Sequence, residues 1–304
     1  MSWNVNTACN FRCTYCTQRF KEDRGRWARD TERFLAAFAR LPGKWEFKLS
    51  GGEPFVHPTL LEIVDGVTKL GHRISVVTNF SAKEERLEAF VRAARGRLGI
   101  LSASLHLEYV DDIAAFADKA VRISALMLAR AIAVPELPRP SLCVTTVATR
   151  AALPRLQALA ALFTERGIPF KVQPEKEEGF VATYSPAERE LLLALGGHND
   201  TGAIEHEFAG RACWAGRFYL VVDDQGEAYR CYPARRSFLT LEKRSLVSLG
   251  TGRVPSDREL RRGRIGNVLD PSFDILESAL PCAYARCYCT VPIARNMMLK
   301  GPLS

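Results

Sequence analysis

Short runs of β-branched and aromatic residues alternate with longer amphipathic stretches through the first two-thirds of the chain. Between the runs, apolar residues recur at helical spacing, as at Phe34, Phe38 and Leu41, which predicts helices with one buried face. This alternation is typical of a parallel α/β sheet. Six strands are predicted, at Trp3–Asn6, Glu46–Leu49, Ile74–Thr78, Leu101–Leu105, Leu142–Val147 and Phe170–Val172. Six strand–helix units fit a partial (β/α)6 TIM-like barrel better than an open sheet.

The pattern changes in the last third of the chain. Ser185, Pro186 and Glu188 are typical of a helix start, with a capping serine, a first-turn proline and a reciprocal glutamate. Farther on, Phe218–Val222 and Glu227–Cys231 flank a four-residue segment that ends in glycine, which predicts a β-hairpin.

Two further boundaries follow from these patterns. The segment Ile123–Pro140 is interpreted as an insertion before the fifth strand, and a helix is predicted from about Leu153 to Arg166. We place a domain boundary near residue 200. The expected organisation is a barrel domain over residues 1–200 and a small cysteine-rich hairpin and helix extension over residues 201–304.

Charge and hydropathy narrow the choice of partners. The chain has 42 Lys and Arg against 34 Asp and Glu, a net charge of +8, which favours acidic substrates or an acidic protein partner. A basic stretch between Arg253 and Arg264 has no interleaved aromatic residues, so nucleic-acid binding is not expected. No apolar stretch approaches the roughly 20 residues of a membrane span, and no signal peptide is recognisable, so a cytoplasmic protein is expected.

Nine cysteines in such a protein indicate metal binding or catalysis in preference to disulfides. Three of them, Cys9, Cys13 and Cys16, lie within eight residues directly after the first predicted strand. A short loop can bring three thiolates to one iron–sulfur cluster and leave one of its four irons open. The alternative is a structural zinc site completed by Cys143 or a histidine, although zinc sites usually close with four ligands.

The spacing Cys-x3-Cys-x2-Cys, with Tyr15 before the last cysteine, resembles the radical S-adenosylmethionine superfamily. The segment Ser50–Pro54 is similar to the Gly-Gly-Glu-Pro motif of that family, and Thr78-Asn79 also resembles the family. Ser104 and His106, on the fourth strand, lie where family members often contact the cofactor. The resemblance covers about residues 3–175.

The resemblance implies a [4Fe–4S] cluster on the three cysteines and S-adenosylmethionine bound at its open iron. Reductive cleavage of this cofactor would yield a radical that abstracts hydrogen from an unactivated carbon, with an electron donor such as flavodoxin or ferredoxin. The cofactor would be bound by Tyr15, Gly51, Gly52, Glu53, Pro54, Asn79, Ser104 and His106. Glycines would let the backbone approach the cofactor, and Glu53 would orient its amine.

Five cysteines remain in the last third, at positions Cys213, Cys231, Cys282, Cys287 and Cys289. Their arrangement is similar to the auxiliary-cluster extension of the superfamily, in its short, one-cluster form (twitch) better than its long form (SPASM). A second [4Fe–4S] cluster is therefore expected, and a zinc-stabilised appendage is the alternative. Which of the last three cysteines are ligands is left open. Cys143, inside a strand, is expected to be a packed core residue.

One cysteine beyond the four that close a cluster suggests two reaction outcomes. A thiol among Cys282, Cys287 and Cys289 could return a hydrogen atom to a substrate radical and give epimerisation, or it could be simply buried. Electron transfer to the auxiliary cluster would instead give oxidation or bond formation. The leading hypothesis is a radical enzyme acting on a peptide or a small natural product, and the alternative is a non-catalytic iron–sulfur or zinc scaffold.

Overall fold

Six parallel strands form the frame of the structure, and each lies in the sheet beside the next one along the chain. The computed structural model describes residues 1–16, 24–177, 180–196, 206–208, 210–235, 263–282, 286–287 and 297. The strands are β1 (Ser2–Asn6), β2 (Glu46–Gly51), β3 (Arg73–Thr78), β4 (Leu98–Ser104), β5 (Ser141–Ala148) and β6 (Phe170–Pro174). Each boundary lies within three residues of the one that the sequence predicts.

Helices follow the strands in strict alternation. They are α1 (Arg24–Ala39), α2 (Leu60–Lys69), α3 (Glu84–Ala93), α4 (Ile113–Ala131), α5 (Leu156–Glu165) and α6 (Pro186–Gly196), with short 3-10 turns at Pro54–Val56 and Leu153–Arg155. The predicted fold class, a partial α/β barrel, is confirmed. Within the described part of the chain, no helix combines the length and apolarity that crossing a membrane requires.

The segment Ile123–Pro140 is not an insertion, and that prediction was wrong. Its first half belongs to α4, which Asp112 caps by accepting a hydrogen bond from the Ala115 amide at 2.8 Å. Phe116, Ala120, Ile123 and Met127 recur every three or four residues along this helix, and all are buried. The segment therefore continues the helix that covers β4 and β5.

The C-terminal part of the chain extends the same sheet. Strands β11 (Val221–Val222), β12 (Glu227–Tyr229) and β13 (Arg264–Asn267) are antiparallel to one another, and β11 lies parallel to β1. The remaining strands are two-residue pairs: β7 (Lys176–Glu177) with β8 (Phe180–Val181), β9 (His206–Glu207) with β15 (Arg286–Cys287), and β10 (Ala212–Cys213) with β14 (Leu280–Pro281).

The predicted hairpin and helix cap are both present. Gly226 has a φ of +87°, which the hairpin turn requires and which glycine adopts without strain. The Glu188 amide donates to Ser185 Oγ at 3.3 Å, and the Ser185 amide donates to the Glu188 carboxylate at 2.7 Å, a reciprocal capping box.

The hairpin shares the barrel's hydrophobic core. Leu220, Val222 and Ala228 are fully buried in the cluster that also contains residues of β1 to β5. At the centre of that cluster, Trp3 packs against Phe34 and Phe38, with ring centroids 4.8 Å apart in both pairs. The domain boundary near residue 200 stays a prediction, since the sheet runs without interruption from the barrel strands into β11 to β13.

Asp223, at the end of β11, gives a pH-dependent prediction. The side chain is buried and accepts hydrogen bonds from the amides of Gln225 and Glu227, both at 3.0 Å. Burial raises the pKa of Asp223 to about 6 from 3.8. Its contribution to stability is therefore complete below pH 3.8 and is lost as the pH rises through 6.

The variant Asp223→Asn should gain stability relative to the unmodified protein as the pH rises. We expect the difference in unfolding free energy to change by up to about 3 kcal/mol between pH 4 and pH 8, measured by urea unfolding. The matched control is Asp111→Asn, at an exposed aspartate, for which the difference should stay flat. A flat difference for Asp223→Asn would contradict the burial argument.

Candidate active site

The cysteine loop, residues 9–16, lies at the carboxyl ends of β1 to β4. These strands are parallel neighbours, so the loops that follow them meet at one end of the sheet. The cysteine loop therefore contacts the segments after β2, β3 and β4, although these segments are far apart in the sequence.

The end of β2 is joined by backbone hydrogen bonds to the residues that lead into the cysteine loop. The Gly52 amide donates to the Asn6 carbonyl at 3.1 Å, and the Glu53 amide donates to the Ala8 carbonyl at 2.8 Å. A Cβ atom at Gly51 would lie 2.1 Å from the Asn6 oxygen, and one at Gly52 would lie 2.0 Å from the Ala8 oxygen. The two glycines are thus required by close approach of backbone to backbone within the protein.

This observation revises the physical reason for the glycine pair. From the sequence, the pair is predicted to allow close approach of the cofactor, whereas the contacts present are with residues 6–8. Gly51 also has a φ of +136°, a conformation that side chains disfavour. Contact of Gly51 and Gly52 with a cofactor stays a prediction.

Glu53 is buried, and its carboxylate joins the ends of β2 and β3. It accepts hydrogen bonds from Thr78 Oγ1 at 2.7 Å, from the Phe55 amide at 2.9 Å and from the Asn79 amide at 2.6 Å. Burial raises the pKa of Glu53 to about 7. Pro54 occupies the first position of the turn that Glu53 caps, where an amide hydrogen is not needed. The predicted contact between Glu53 and a cofactor amine stays a prediction beside these contacts.

The segment after β3 holds the loop from the other side. Asn79 Nδ2 donates to Asn10 Oδ1 at 2.8 Å and lies 4.0 Å from Cys9 Sγ. The next residue, Phe80, has a φ of +59°, which is strained for a side chain of this size. Lys119 Nζ donates to the Phe80 carbonyl at 2.7 Å and lies over its ring, which stabilises this conformation.

The end of β4 contacts the middle of the loop. Ser104 is the last residue of β4, and His106 lies just beyond it. His106 Nδ1 is 2.7 Å from the Tyr15 hydroxyl and 3.3 Å from Cys13 Sγ. Burial lowers the pKa of His106, so the ring is held neutral and can accept a hydrogen bond. The structure thus brings Tyr15, His106 and Cys13 together, as three of the predicted site residues.

Two residues of this site, Glu108 and Tyr109, could not be recognised from the sequence. The Arg12 amide donates to the Tyr109 hydroxyl at 2.8 Å, and the Thr14 amide donates to the Glu108 carboxylate at 3.0 Å. Phe11 stacks on Tyr109 with ring centroids 4.2 Å apart and an interplanar angle of 6°. Glu108 and Tyr109 match no spacing motif, and only the fold shows that they hold the cysteine loop.

Removing the Tyr109 ring should loosen the loop. An aromatic stack contributes about 1 kcal/mol, so Tyr109→Ala should increase the rate of iron loss to a chelator roughly fivefold. The matched variant Tyr109→Phe keeps the stack with Phe11 and loses only the hydroxyl, so its rate should rise less. Equal rates for Tyr109→Ala and the unmodified protein would show that the stack does not hold the loop.

The three thiols fit an iron–sulfur cluster. Burial is the main reason why the pKa of Cys9 is raised and why that of Cys13 is raised to about 11. The nearby Cys16 raises both pKa values further. Grouped thiols of this kind require a cation to lose their protons. Among the described side chains, no three potential ligands converge as they would on one ion. In a [4Fe–4S] cluster each thiolate binds a different iron, so three thiols on one short loop can serve as its ligands.

A buried acceptor without a hydrogen-bond partner lies next to Gly51. Asn6 Oδ1 is buried and accepts no hydrogen bond from the described residues, although Asn6 Nδ2 donates to the Glu53 carbonyl at 2.9 Å. A cationic amine is a ligand that such an acceptor favours. The residues present therefore fit both groups that the sequence predicts at this end of the sheet.

The cysteines of the last third are partly described. Cys213 ends β10, Cys231 lies two residues after β12, and Cys282 follows β14. All three pack in one hydrophobic cluster with Tyr219 and Tyr229. For Cys287 only the backbone is described, in β15, and Cys289 lies outside the described residues. Cys143, in β5, is buried, as predicted.

Comparison with known proteins shows the family to which the first half of the chain is similar. Residues 3–150 match the model of the Radical SAM superfamily. These residues, just under half of the chain, therefore form a domain of the radical SAM superfamily. Such a domain uses a [4Fe–4S] cluster and S-adenosylmethionine, so the chain is an enzyme, and the scaffold alternative is set aside.

Two curated relatives are similar to part of this chain. A GTP 3′,8-cyclase of Stenotrophomonas maltophilia is 30% identical over 141 residues, which cover 44% of this chain and 43% of the relative. A GTP 3′,8-cyclase of Chlorobaculum tepidum is 31% identical over 114 residues, which cover 35% of this chain and 32% of the relative. The chain thus matches less than half the length of these curated relatives.

Among solved structures, Streptococcus suis SuiB bound to S-adenosylmethionine overlaps with a TM-score of 0.49 at 16% identity, covering 78% of this chain and 58% of SuiB.

Proposed function

We propose that this chain cleaves S-adenosylmethionine reductively at the cysteine loop and removes a hydrogen atom from an unactivated carbon of a peptide or small natural product. One observation carries the proposal. The cysteine loop and the Gly51–Pro54 segment lie side by side, joined by the Gly52 and Glu53 backbone hydrogen bonds to residues 6 and 8. The segments that we propose for the cluster and for the cofactor amine are thus adjacent.

The residues of the site have separate tasks in this proposal. Cys9, Cys13 and Cys16 hold the cluster and leave one iron open to the cofactor. When bound, the cluster and S-adenosylmethionine together supply an electron and a 5′-deoxyadenosyl radical that can take hydrogen from a carbon–hydrogen bond. His106 contacts both Tyr15 and Cys13 and so supports the Cys13 side of the loop.

Glu53 and Asn79 fix the ends of β2 and β3 against the loop. These contacts are made within the protein, so they hold the Gly51–Pro54 segment in place before the cofactor binds. Positioning of this kind reduces the reorganisation that binding would otherwise require. Ser104, at the end of β4, faces the same end of the sheet and is proposed to contact the cofactor.

We propose that the type of product depends on the cysteines of the last third of the chain. A second [4Fe–4S] cluster there would accept an electron and give oxidation or bond formation. A thiol left over among Cys282, Cys287 and Cys289 would instead donate a hydrogen atom and give epimerisation. An acidic electron donor such as flavodoxin or ferredoxin fits the net charge of +8.

A second candidate substrate is a purine nucleotide. The matched relatives are named GTP 3′,8-cyclases, and their identity to this chain lies in the cysteine-loop domain. GTP is polyanionic and would also be favoured by a chain of charge +8. Because less than half of each relative is matched, this activity is a proposal of its own.

Turnover in deuterated solvent distinguishes these outcomes. The anaerobically reconstituted protein is given reductant, S-adenosylmethionine and either GTP or candidate peptides, and the products are analysed by mass spectrometry. Deuterium at one carbon of an otherwise unchanged product supports epimerisation, and loss of two hydrogens supports oxidation. A cyclised nucleotide supports the second candidate. If no substrate of either kind increases consumption of S-adenosylmethionine, both substrate proposals are wrong.

A further inference from the structure

Three cysteines of the last third are held around one buried arginine. Cys213 lies in β10 opposite Leu280 of β14, and Cys282 directly follows β14. The Cys282 amide donates to the Arg211 carbonyl at 2.9 Å and continues this pairing. Cys231 lies beside the same pair because Arg230, the residue before it, reaches across to both strands.

Arg230 is 6% exposed, and its guanidinium binds four backbone carbonyls. Nε donates to the Ala215 carbonyl at 3.0 Å, and Nη2 donates to those of Cys213 and Leu280 at 3.2 and 2.9 Å. Nη1 donates to the Pro281 carbonyl at 3.3 Å. Two of the four carbonyls belong to residues next to or at a cysteine, on two separate strands.

These bonds satisfy the N–H groups of Arg230 without neutralising its charge. Within the described part of the chain, none of the ion pairs includes Arg230. A buried cation that lacks a counter-charge is strongly unfavourable, because carbonyl dipoles replace water only in part. A negatively charged group close to Arg230 would offset the free energy of burying its charge. The thiolate ligands of a metal centre are such a group.

We propose that Arg230 is a positioning residue for an auxiliary iron–sulfur cluster at Cys213, Cys231 and Cys282. It fixes the strands that carry two of the cysteines, and its charge favours the reduced, more negative state of the cluster. This inference rests on the second cluster of the proposed function. It adds the residue that assembles the site and sets how readily the cluster accepts an electron.

The test uses the full-length chain in which Cys9, Cys13 and Cys16 are replaced by alanine, so that only the auxiliary site can load. After anaerobic reconstitution with iron and sulfide, iron is counted and the cluster is titrated at poised potentials by electron paramagnetic resonance. Three variants are compared in this background: Arg230→Met, Arg230→Lys and Arg217→Met. The last removes a half-buried arginine of the same segment that binds none of these carbonyls.

For Arg230→Met we expect the reduced fraction at a fixed potential to fall on the order of tenfold, as expected for loss of one partly buried charge about 10 Å away. Tenfold corresponds to about 59 mV for one electron. Arg230→Lys and Arg217→Met should change the reduced fraction less than about twofold. If Arg230→Met loads too little iron to titrate, the inference predicts that Arg230→Lys restores loading.

Two results would overturn the inference, and only one of them would also reject the second cluster. Equal reduced fractions in Arg230→Met and its parent, or loss of loading that lysine does not restore, would reject the role of Arg230 and leave the second cluster standing. Absence of iron in the parent would reject the second cluster together with Arg230. Formation of 5′-deoxyadenosine by the unmodified chain would then still support the cysteine loop.

Discussion

Replacing Cys13 by alanine should remove the radical-initiating cluster and with it all cleavage of S-adenosylmethionine. Cys13 is one of three thiols that can bind the cluster, and its neighbours cannot replace it because each would bind a different iron. We expect the reconstituted protein to lose about four irons per chain. Formation of 5′-deoxyadenosine should fall to the level seen without reductant.

Cys143→Ala is the matched control for this prediction. Cys143 is buried in β5 and packs in the sheet. Its replacement should cost about 1 kcal/mol of stability and leave iron content and S-adenosylmethionine cleavage unchanged. If Cys13→Ala retains its full iron content while Cys143→Ala loses iron, the assignment of ligands is wrong.

Replacing Gly52 by alanine should have the largest effect on the framework of the site. The added Cβ would lie 2.0 Å from the Ala8 oxygen and 2.8 Å from the Thr7 oxygen. Both are backbone atoms, so relief requires movement of the whole segment that leads into the cysteine loop. That movement would break the hydrogen bond from the Glu53 amide to the Ala8 carbonyl. We expect a loss of about 3 kcal/mol or more.

The effect of Gly52→Ala is measured by urea unfolding and by iron content after reconstitution. Gly196→Ala, at the end of α6, is the control, because a Cβ there meets nothing within 4 Å. It should leave stability unchanged or raise it by less than about 1 kcal/mol. A Gly52→Ala protein with normal stability and iron content would mean that the backbone contact with Ala8 does not define the site.

Much of the fold could be predicted because its signals are local. Strand and helix patterns predicted the six parallel strands, and the turn glycine at Gly226 predicted the hairpin. The error at Ile123–Pro140 arose because apolar residues of a half-buried helix resemble a buried insertion when the cap at Asp112 is overlooked. Addition of the hairpin to the edge of β1 could not be predicted, since pairing of Ser2 with Val221 spans most of the chain.

The candidate ligands of the site could be predicted from the sequence, but the residues that hold those ligands in place could not. Cysteine spacing and the Gly51–Pro54 segment identified the residues whose chemistry is specific. Glu108 acts through its carboxylate and Tyr109 through its hydroxyl, and such groups are common on protein surfaces. They have a role here only because the loops after β1 and β4 lie against each other. The same holds for Arg230, because its contacts with four carbonyls on two distant segments leave no sequence pattern.

The most direct test of the central claim is formation of 5′-deoxyadenosine by the iron-loaded protein. The full-length chain is reconstituted anaerobically, reduced and incubated with S-adenosylmethionine, and the product is measured by mass spectrometry beside Cys13→Ala. The account predicts reductant-dependent 5′-deoxyadenosine in the unmodified protein and none above background in the variant. Iron-loaded protein that forms no 5′-deoxyadenosine, or a variant that forms as much as its parent, would contradict it.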